Sequence, residues 1–121
     1  MSIFKDQHEF LKASDCADIS LKNEQLYSDL INEEFKEFVD EEFYLGNHGT
    51  ANSIKEALDL IYVAAGYLNV TIGHDKAQQC WDALQANNMS KTVDGKLVKN
   101  EFGKTMKPEG YVKLDLSDIL G

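Results

Sequence analysis

Pro108 is the only proline in a chain of 121 residues, and no other feature limits the possible folds so strongly. Proline removes a backbone donor and breaks helix interiors. Its near absence suits long uninterrupted helices better than a turn-rich sandwich. The hydrophobic fraction of 43% and aromatic content of 10% are those of a globular protein. The length suits one compact domain over 1–121, large enough for a single core and too short for two. The expected fold is therefore all-α, helical over 1–90, with a different texture over 91–121.

Periodicity places the elements. Phe4, Phe10 and Leu11 among charged residues predict a short amphipathic helix from Ile3 to about Ala13, stopping near Ser14-Asp15. Asn23 can cap a long helix to about Leu45, ended by Gly46-Asn47-His48-Gly49. Tyr27, Ile31, Phe38 and Leu45 form its apolar stripe. Thr50 or Ser53 can cap a third helix, Ile54 to roughly Ile72, apolar nearly all round and thus suited to a bundle centre or an oligomer interface. Within it, Gly66 permits a close helix approach or ligand access. Gly73 ends this helix, and Asp75 can cap a fourth running to about Met89. From Lys91 to Pro108, Asp94-Gly95 and Gly103-Lys104 predict a hairpin or extended flap, and the tail to Leu120 a closing helical turn.

Two acidic clusters stand inside this helical pattern: Glu33-Glu34-Phe35-Lys36-Glu37 and Glu56-Ala57-Leu58-Asp59. Residues three apart share a helix face, so Glu34 with Glu37, and Glu56 with Asp59, each present a carboxylate pair to one side. Stepping three residues from Ile31 lands on Glu34, which places that acid on the apolar stripe. Glu33 and Glu37 flank it, while Asp40 and Glu42 point toward solvent. Like charges brought together in partial burial repel unless a cation neutralises them, and oxygen-only ligation favours Mg²⁺, Mn²⁺ or Ca²⁺. The competing reading is ordinary solvated helix surface, with Lys36 or Lys55 supplying ion pairs.

A formal charge of −9 makes a nucleic-acid backbone an unfavourable partner. All twelve basic residues are lysines, so phosphate would be met by ammonium groups, amides or metal rather than by guanidinium forks. Eight acids lie between Glu24 and Glu42, and six lysines between Lys91 and Lys113. A metal held by the acidic helices and a lysine-bearing flap would together suit a polyphosphate. Cys16 and Cys80 lack zinc or disulfide spacing, with Cys80 expected as a small buried hydrophobe. Trp81 and Tyr62 are read as core, and His8, His48 and His74 as surface or capping residues. No apolar run approaches the ~20 residues of a membrane-spanning helix, and the N-terminus has no signal-peptide pattern. A soluble, cytoplasmic protein that does not bind membranes is the expectation.

Leu30-Ile31-Asn32-Glu33-Glu34-Phe35-Lys36-Glu37 followed by Glu56-Ala57-Leu58-Asp59-Leu60-Ile61-Tyr62-Val63 resembles the EExxE and ExxD signature of the all-alpha nucleoside triphosphate pyrophosphohydrolases, the MazG and phosphoribosyl-ATP pyrophosphohydrolase relatives. Asn88-Met89-Ser90-Lys91, Asp94-Gly95-Lys96, Gly103-Lys104, Lys107-Pro108 and Asp115 to Leu120 resemble the C-terminal pattern of its small single-domain branch. The resemblance implies a four-helix bundle with its core shared across a homodimer or homotetramer. It implies hydrolysis of a (deoxy)nucleoside triphosphate between the alpha and beta phosphates, giving nucleoside monophosphate and pyrophosphate, with Mg²⁺ or substituting Mn²⁺. Carried over, Glu34, Glu37, Glu56 and Asp59 are metal ligands and Glu33 orients or deprotonates water, the roles of Glu33 and Glu37 being exchangeable. Asn88, Lys91, Lys104 and Lys107 are substrate contacts. The alternative is a helical metal-binding, nucleotide-binding or interaction protein without hydrolysis.

Overall fold

The structure is a computed structural model that describes residues 2–121. Among them, α1 spans Ile3–Ala13, α2 Leu21–Val39, α3 Ala51–Ile72, α4 His74–Met89 and α5 Ser117–Leu120, with a hairpin of β1 Thr92–Val93 and β2 Lys96–Leu97. The mostly helical class expected from the sequence is what the chain adopts. No helix of the described residues is long and apolar enough to cross a membrane. The chain forms two compact units, one reaching to Ala77 and one from Gln78 to Gly121.

In the first unit, α1 buries Phe4, Gln7 and Leu11, the three- and four-residue steps that keep one face toward the neighbouring helices. Ser2 Oγ caps it by accepting from the Lys5 amide. Asp6 in its first turn and Lys12 in its last complement the helix dipole. Ser20, not Asn23, caps α2: its Oγ accepts from the Asn23 amide at 3.1 Å. Asn23 is buried instead, and its Nδ2 donates to the carbonyls of Cys16 and Asp18. The connection needs those two amide hydrogens, which serine cannot supply.

The last turn expected for this helix is present in wider form. Asp40–Tyr44 is π-helical, closed by the Leu45 amide donating to the Asp40 carbonyl at 2.9 Å. Contrary to the expectation that Glu42 faces solvent, its side chain is only 18% exposed and pairs with His48 Nδ1. Asn47 Nδ2 donates to Glu41 Oε2. The wide turn thus carries acids whose partners lie in the following loop. Thr50 Oγ1 then accepts from the Ser53 amide to start α3. Gly73, at φ 84°, ends it, a left-handed conformation that glycine adopts without steric cost. The chain re-enters helix at once, with His74 as the first residue of α4 and Asp75 inside its first turn. Asp75 is therefore not placed outside the helix as its cap.

Two small apolar clusters hold the unit: Phe4, Ala65 and Ala77 with Leu68 and Ile72, and Leu11, Tyr27 and Val70 with their neighbours. Each fully buried large side chain contributes about 1.5–3 kcal/mol relative to exposure. A polar network joins them. Gln7 Nε2 donates to Tyr27 Oη at 3.1 Å, and Asn69 Nδ2 donates to Gln7 Oε1 and the Phe4 carbonyl, both at 2.9 Å. Tyr27 can approach because position 66 is glycine. A Cβ there would overlap the Tyr27 ring and lie 2.6 Å from Gln7 Nε2. Close helix approach is accordingly what Gly66 provides. The uniform apolarity of α3 is only partly used, since Ile54, Leu58 and Ile61 remain more than half exposed.

In the second unit, Asp94 and Gly95 both take positive φ, 53° and 78°, the geometry of a two-residue hairpin turn. Thr92 pairs with Leu97 and Val93 with Lys96. Asn100 Oδ1 accepts from the amides of Phe102 and Lys104, shaping the next turn beneath the Lys99–Thr105 bridge. Cys80 is buried as expected, whereas Trp81 is 49% exposed and not a core residue.

Candidate metal centre

α2 and α3 pack along each other, with Tyr27 beside Gly66 near one end and Glu34 beside Glu56 near the other. Rising numbers on α2 meet falling numbers on α3, so the pair is antiparallel. That arrangement brings the two acidic clusters face to face. Carboxylate oxygens of Glu34, Glu56 and Asp59 all lie within 4.8 Å of one another. Glu37, one turn beyond Glu34, is near enough to Glu34 and Glu56 for their carboxyl groups to act on its titration. Carboxyl groups crowded in this way escape repulsion only by sharing a proton or a cation.

The electrostatics follow from the crowding. Glu37 is held above the usual carboxylate range, first by its hydrogen bond to Glu34, then by desolvation and the Glu34 charge. Glu56 is raised too, chiefly by desolvation, against the lowering pull of Lys55. Lys55 Nζ lies 2.6 Å from Asp59 Oδ2 and 3.9 Å from Glu56 Oε1, and its own pKa is raised, first by the Asp59 hydrogen bond. This lysine is 67% exposed, so it reaches the cluster from its wet side. On the inner side, Glu34 Oε2 and Glu56 Oε2 are buried and have no hydrogen-bond partner. A buried carboxylate oxygen without a donor is costly. Two of them on facing helices, beside Asp59, match the oxygen-only ligand set of a hard divalent cation.

The expected site residues divide three ways. Glu34, Glu56 and Asp59 are brought together, and the titration of Glu37 is perturbed by two of them. Glu33 is exposed beside this group and acts on it through its charge, which raises Glu37. Asn88, Lys91, Lys104 and Lys107 belong to the second unit. There Lys91 Nζ donates to Asn88 Oδ1 at 3.3 Å, while Lys104 and Lys107 are exposed.

Sequence reading missed Asn87 and Tyr111. Asn87 Oδ1 accepts from Tyr111 Oη at 2.8 Å, and Asn87 Nδ2 donates to the Val112 carbonyl at 2.8 Å. The available signal was the Pro108-Glu109-Gly110-Tyr111 turn, which directs the tail back over α4. Comparison with known proteins adds no family: no protein-family profile matches the chain, and no curated protein matches its sequence.

Proposed function

We propose that the chain is a Mg²⁺-dependent nucleoside triphosphate pyrophosphohydrolase, cleaving a (deoxy)nucleoside triphosphate between the alpha and beta phosphates. The observation that carries this reading is the convergence of Glu34, Glu56 and Asp59 from two helices, with Glu34 Oε2 and Glu56 Oε2 buried and unpartnered. The donor set fits Mg²⁺, and Mn²⁺ as a substitute, better than a softer metal. Glu34, Glu56 and Asp59 would hold the ion, with Glu37 replacing its shared proton by a metal bond. Once bound, the ion would offset phosphate charge and that developing on the leaving pyrophosphate.

The chain's own part is proton transfer and positioning. Glu33, exposed and adjacent to Glu34, is the group we assign to the attacking water. Its carboxylate takes the proton as the water oxygen bonds to the alpha phosphorus. The bond from that phosphorus to the bridging oxygen breaks, and its electron pair leaves with pyrophosphate. A general base of this kind contributes on the order of 10² to 10⁴ in rate. Asn88, Lys91, Lys104 and Lys107 are assigned to substrate contacts. The exposed row Ile54, Leu58 and Ile61 on α3 supports contact with a second copy of the chain, because uncharged apolar rows on a strongly acidic protein favour burial against their like.

The deciding experiment is a pyrophosphate-release screen across nucleoside triphosphates, with Mg²⁺ and with EDTA. Release is expected with Mg²⁺ alone. Glu34→Gln and Asp59→Asn should abolish it while circular dichroism stays native, and Glu33→Gln should slow it within the range above. A chain that Mg²⁺ stabilises against heat but that releases no pyrophosphate would instead be a binding protein.

A further inference from the structure

Lys91 and Lys107 are separated by sixteen positions in the sequence, yet both side chains end at one aromatic ring. Lys91 Nζ lies 5.7 Å and Lys107 Nζ 5.6 Å from the centre of the Tyr111 ring. These are cation–π distances. Since both ammonium groups are tied to the same centroid, their separation cannot exceed the sum of those two lengths. The ring is itself fixed, because Tyr111 Oη donates to Asn87 Oδ1 while Asn87 Nδ2 holds the Val112 carbonyl, each at 2.8 Å. Lys91 is further oriented by Asn88 Oδ1.

Two cations drawn together repel, and a chain with 21 acids and 12 lysines has carboxylates to spare for them. Among the described residues, however, no carboxylate forms an ion pair with either lysine. Glu109 and Asp115 line the adjoining open cavity of about 630 Å³, but neither is paired with Lys91 or Lys107. Both ammonium groups therefore keep donors for an external acceptor, and a ligand with several anionic oxygens satisfies both at once.

We propose that Tyr111 is a positioning residue that gathers Lys91 and Lys107 into one claw for the phosphates of a polyphosphate ligand. The inference rests on the proposed triphosphate chemistry for its natural ligand, but the claw is defined by the second unit alone. Tyr111 makes no contact with the phosphate through its hydroxyl, which is committed to Asn87. Its ring sets where the two ammonium groups wait, so that fewer side-chain rotamers are frozen on binding.

The test uses the full chain and inorganic tripolyphosphate in EDTA, with binding read by calorimetry and folding by circular dichroism. Tyr111→Leu should weaken binding roughly fivefold or more, the cost of ordering two lysine side chains that the ring no longer holds in advance, and Lys91→Met with Lys107→Met should weaken it at least as much. In that double-lysine background Tyr111→Leu should have no further effect, which a merely structural tyrosine would not obey. Should Tyr111→Leu fail to fold, the lysine variants and Asn87→Ala carry the test. Unchanged tripolyphosphate binding in the double-lysine variant overturns the claw, as does an undiminished effect of Tyr111→Leu in that background. If nucleotides are hydrolysed, Tyr111→Leu should raise KM and leave kcat nearly constant. Hydrolysis with no KM change would sink the claw while leaving the enzyme reading intact. Tripolyphosphate binding without any hydrolysis would do the reverse.

Discussion

Two polar clusters along the α2–α3 pair, one of them completed by Gln7 from α1, end in different conditions. Toward one end of the α2–α3 pair, Gln7, Tyr27 and Asn69 exchange hydrogen bonds of 2.9–3.1 Å and are buried with their partners. Toward the other, Glu34, Glu37, Glu56 and Asp59 crowd together, with two buried oxygens unpartnered and one exposed lysine attending. Neutral amides and a phenol can satisfy one another because each carries both donors and acceptors. Carboxylates offer only acceptors unless protonated. The first cluster leaves only Asn69 Oδ1 buried without a partner and serves the fold, whereas the second is the one we propose a metal completes.

The strongest way to break this comparison is at Gly66, where the amide–phenol cluster depends on a missing side chain. Gly66→Ala would place a methyl into the Tyr27 ring and against Gln7 Nε2. Either Tyr27 moves, opening its bond to Gln7, or α2 and α3 part. Overpacking of a tight core costs about 1–3 kcal/mol, and each buried polar group left unsatisfied adds ~1–3 kcal/mol. Alanine's better helix propensity returns only about 1 kcal/mol. Chemical denaturation should show a loss of several kcal/mol, and a neutral substitution would mean that the helices do not approach as described.

How much of this was legible beforehand differs between the clusters. Glu34, Glu37, Glu56 and Asp59 could be picked out because three-residue spacing puts each pair on one helix face, and a glutamate on an apolar stripe is conspicuous. The Gln7–Tyr27–Asn69 network was not, since it joins three helices, and a single polar residue on each carries no periodic signal. Asn23 shows a similar limit. Ser20 and Asn23 are both good capping residues, and only the carbonyls of Cys16 and Asp18 waiting for an amide decide between them. The hairpin at Asp94-Gly95 was readable because the required positive φ values restrict the residues permitted there. Tyr111 was hidden, because its two lysines come from different segments.

A second, smaller effect sharpens the contrast by treating the acidic cluster as an incomplete one. Glu34→Gln supplies an amide donor to Glu37 and Glu56 and removes one charge. In EDTA it should therefore raise the melting temperature, where ordinary substitutions at partly buried positions lower it. Mg²⁺ should reverse the order. For wild type, ion at about one hundred times its dissociation constant adds ~2.7 kcal/mol by mass action, and the variant should gain much less. Equal Mg²⁺ shifts in the two proteins would remove Glu34 from the ligand set.

The smallest expected effect is on pH dependence, and it tests the acidic cluster. Glu37 and Glu56 are held above the ordinary carboxylate range, Glu37 first by its bond to Glu34 and Glu56 first by desolvation. The folded chain thus binds protons more tightly than the unfolded chain, and stability falls as pH rises through the raised values. Their stabilising contribution is full below the ordinary carboxylate range and is lost as pH rises through the raised values. His8, lowered by desolvation and by His74, and Asp115, lowered by Ser117, pull the other way on acidification. Comparing wild type with Glu37→Gln cancels both. In EDTA the wild type should gain on the variant as pH falls from about 7 to about 4.5. Saturating Mg²⁺ should flatten that gain near neutrality, because a bound cation removes the advantage of the shared proton, and thermal melts across the series read both slopes. A wild-type slope no different from that of Glu37→Gln would mean that the carboxyl groups share no proton, and with it would go the reason for expecting a metal to replace one.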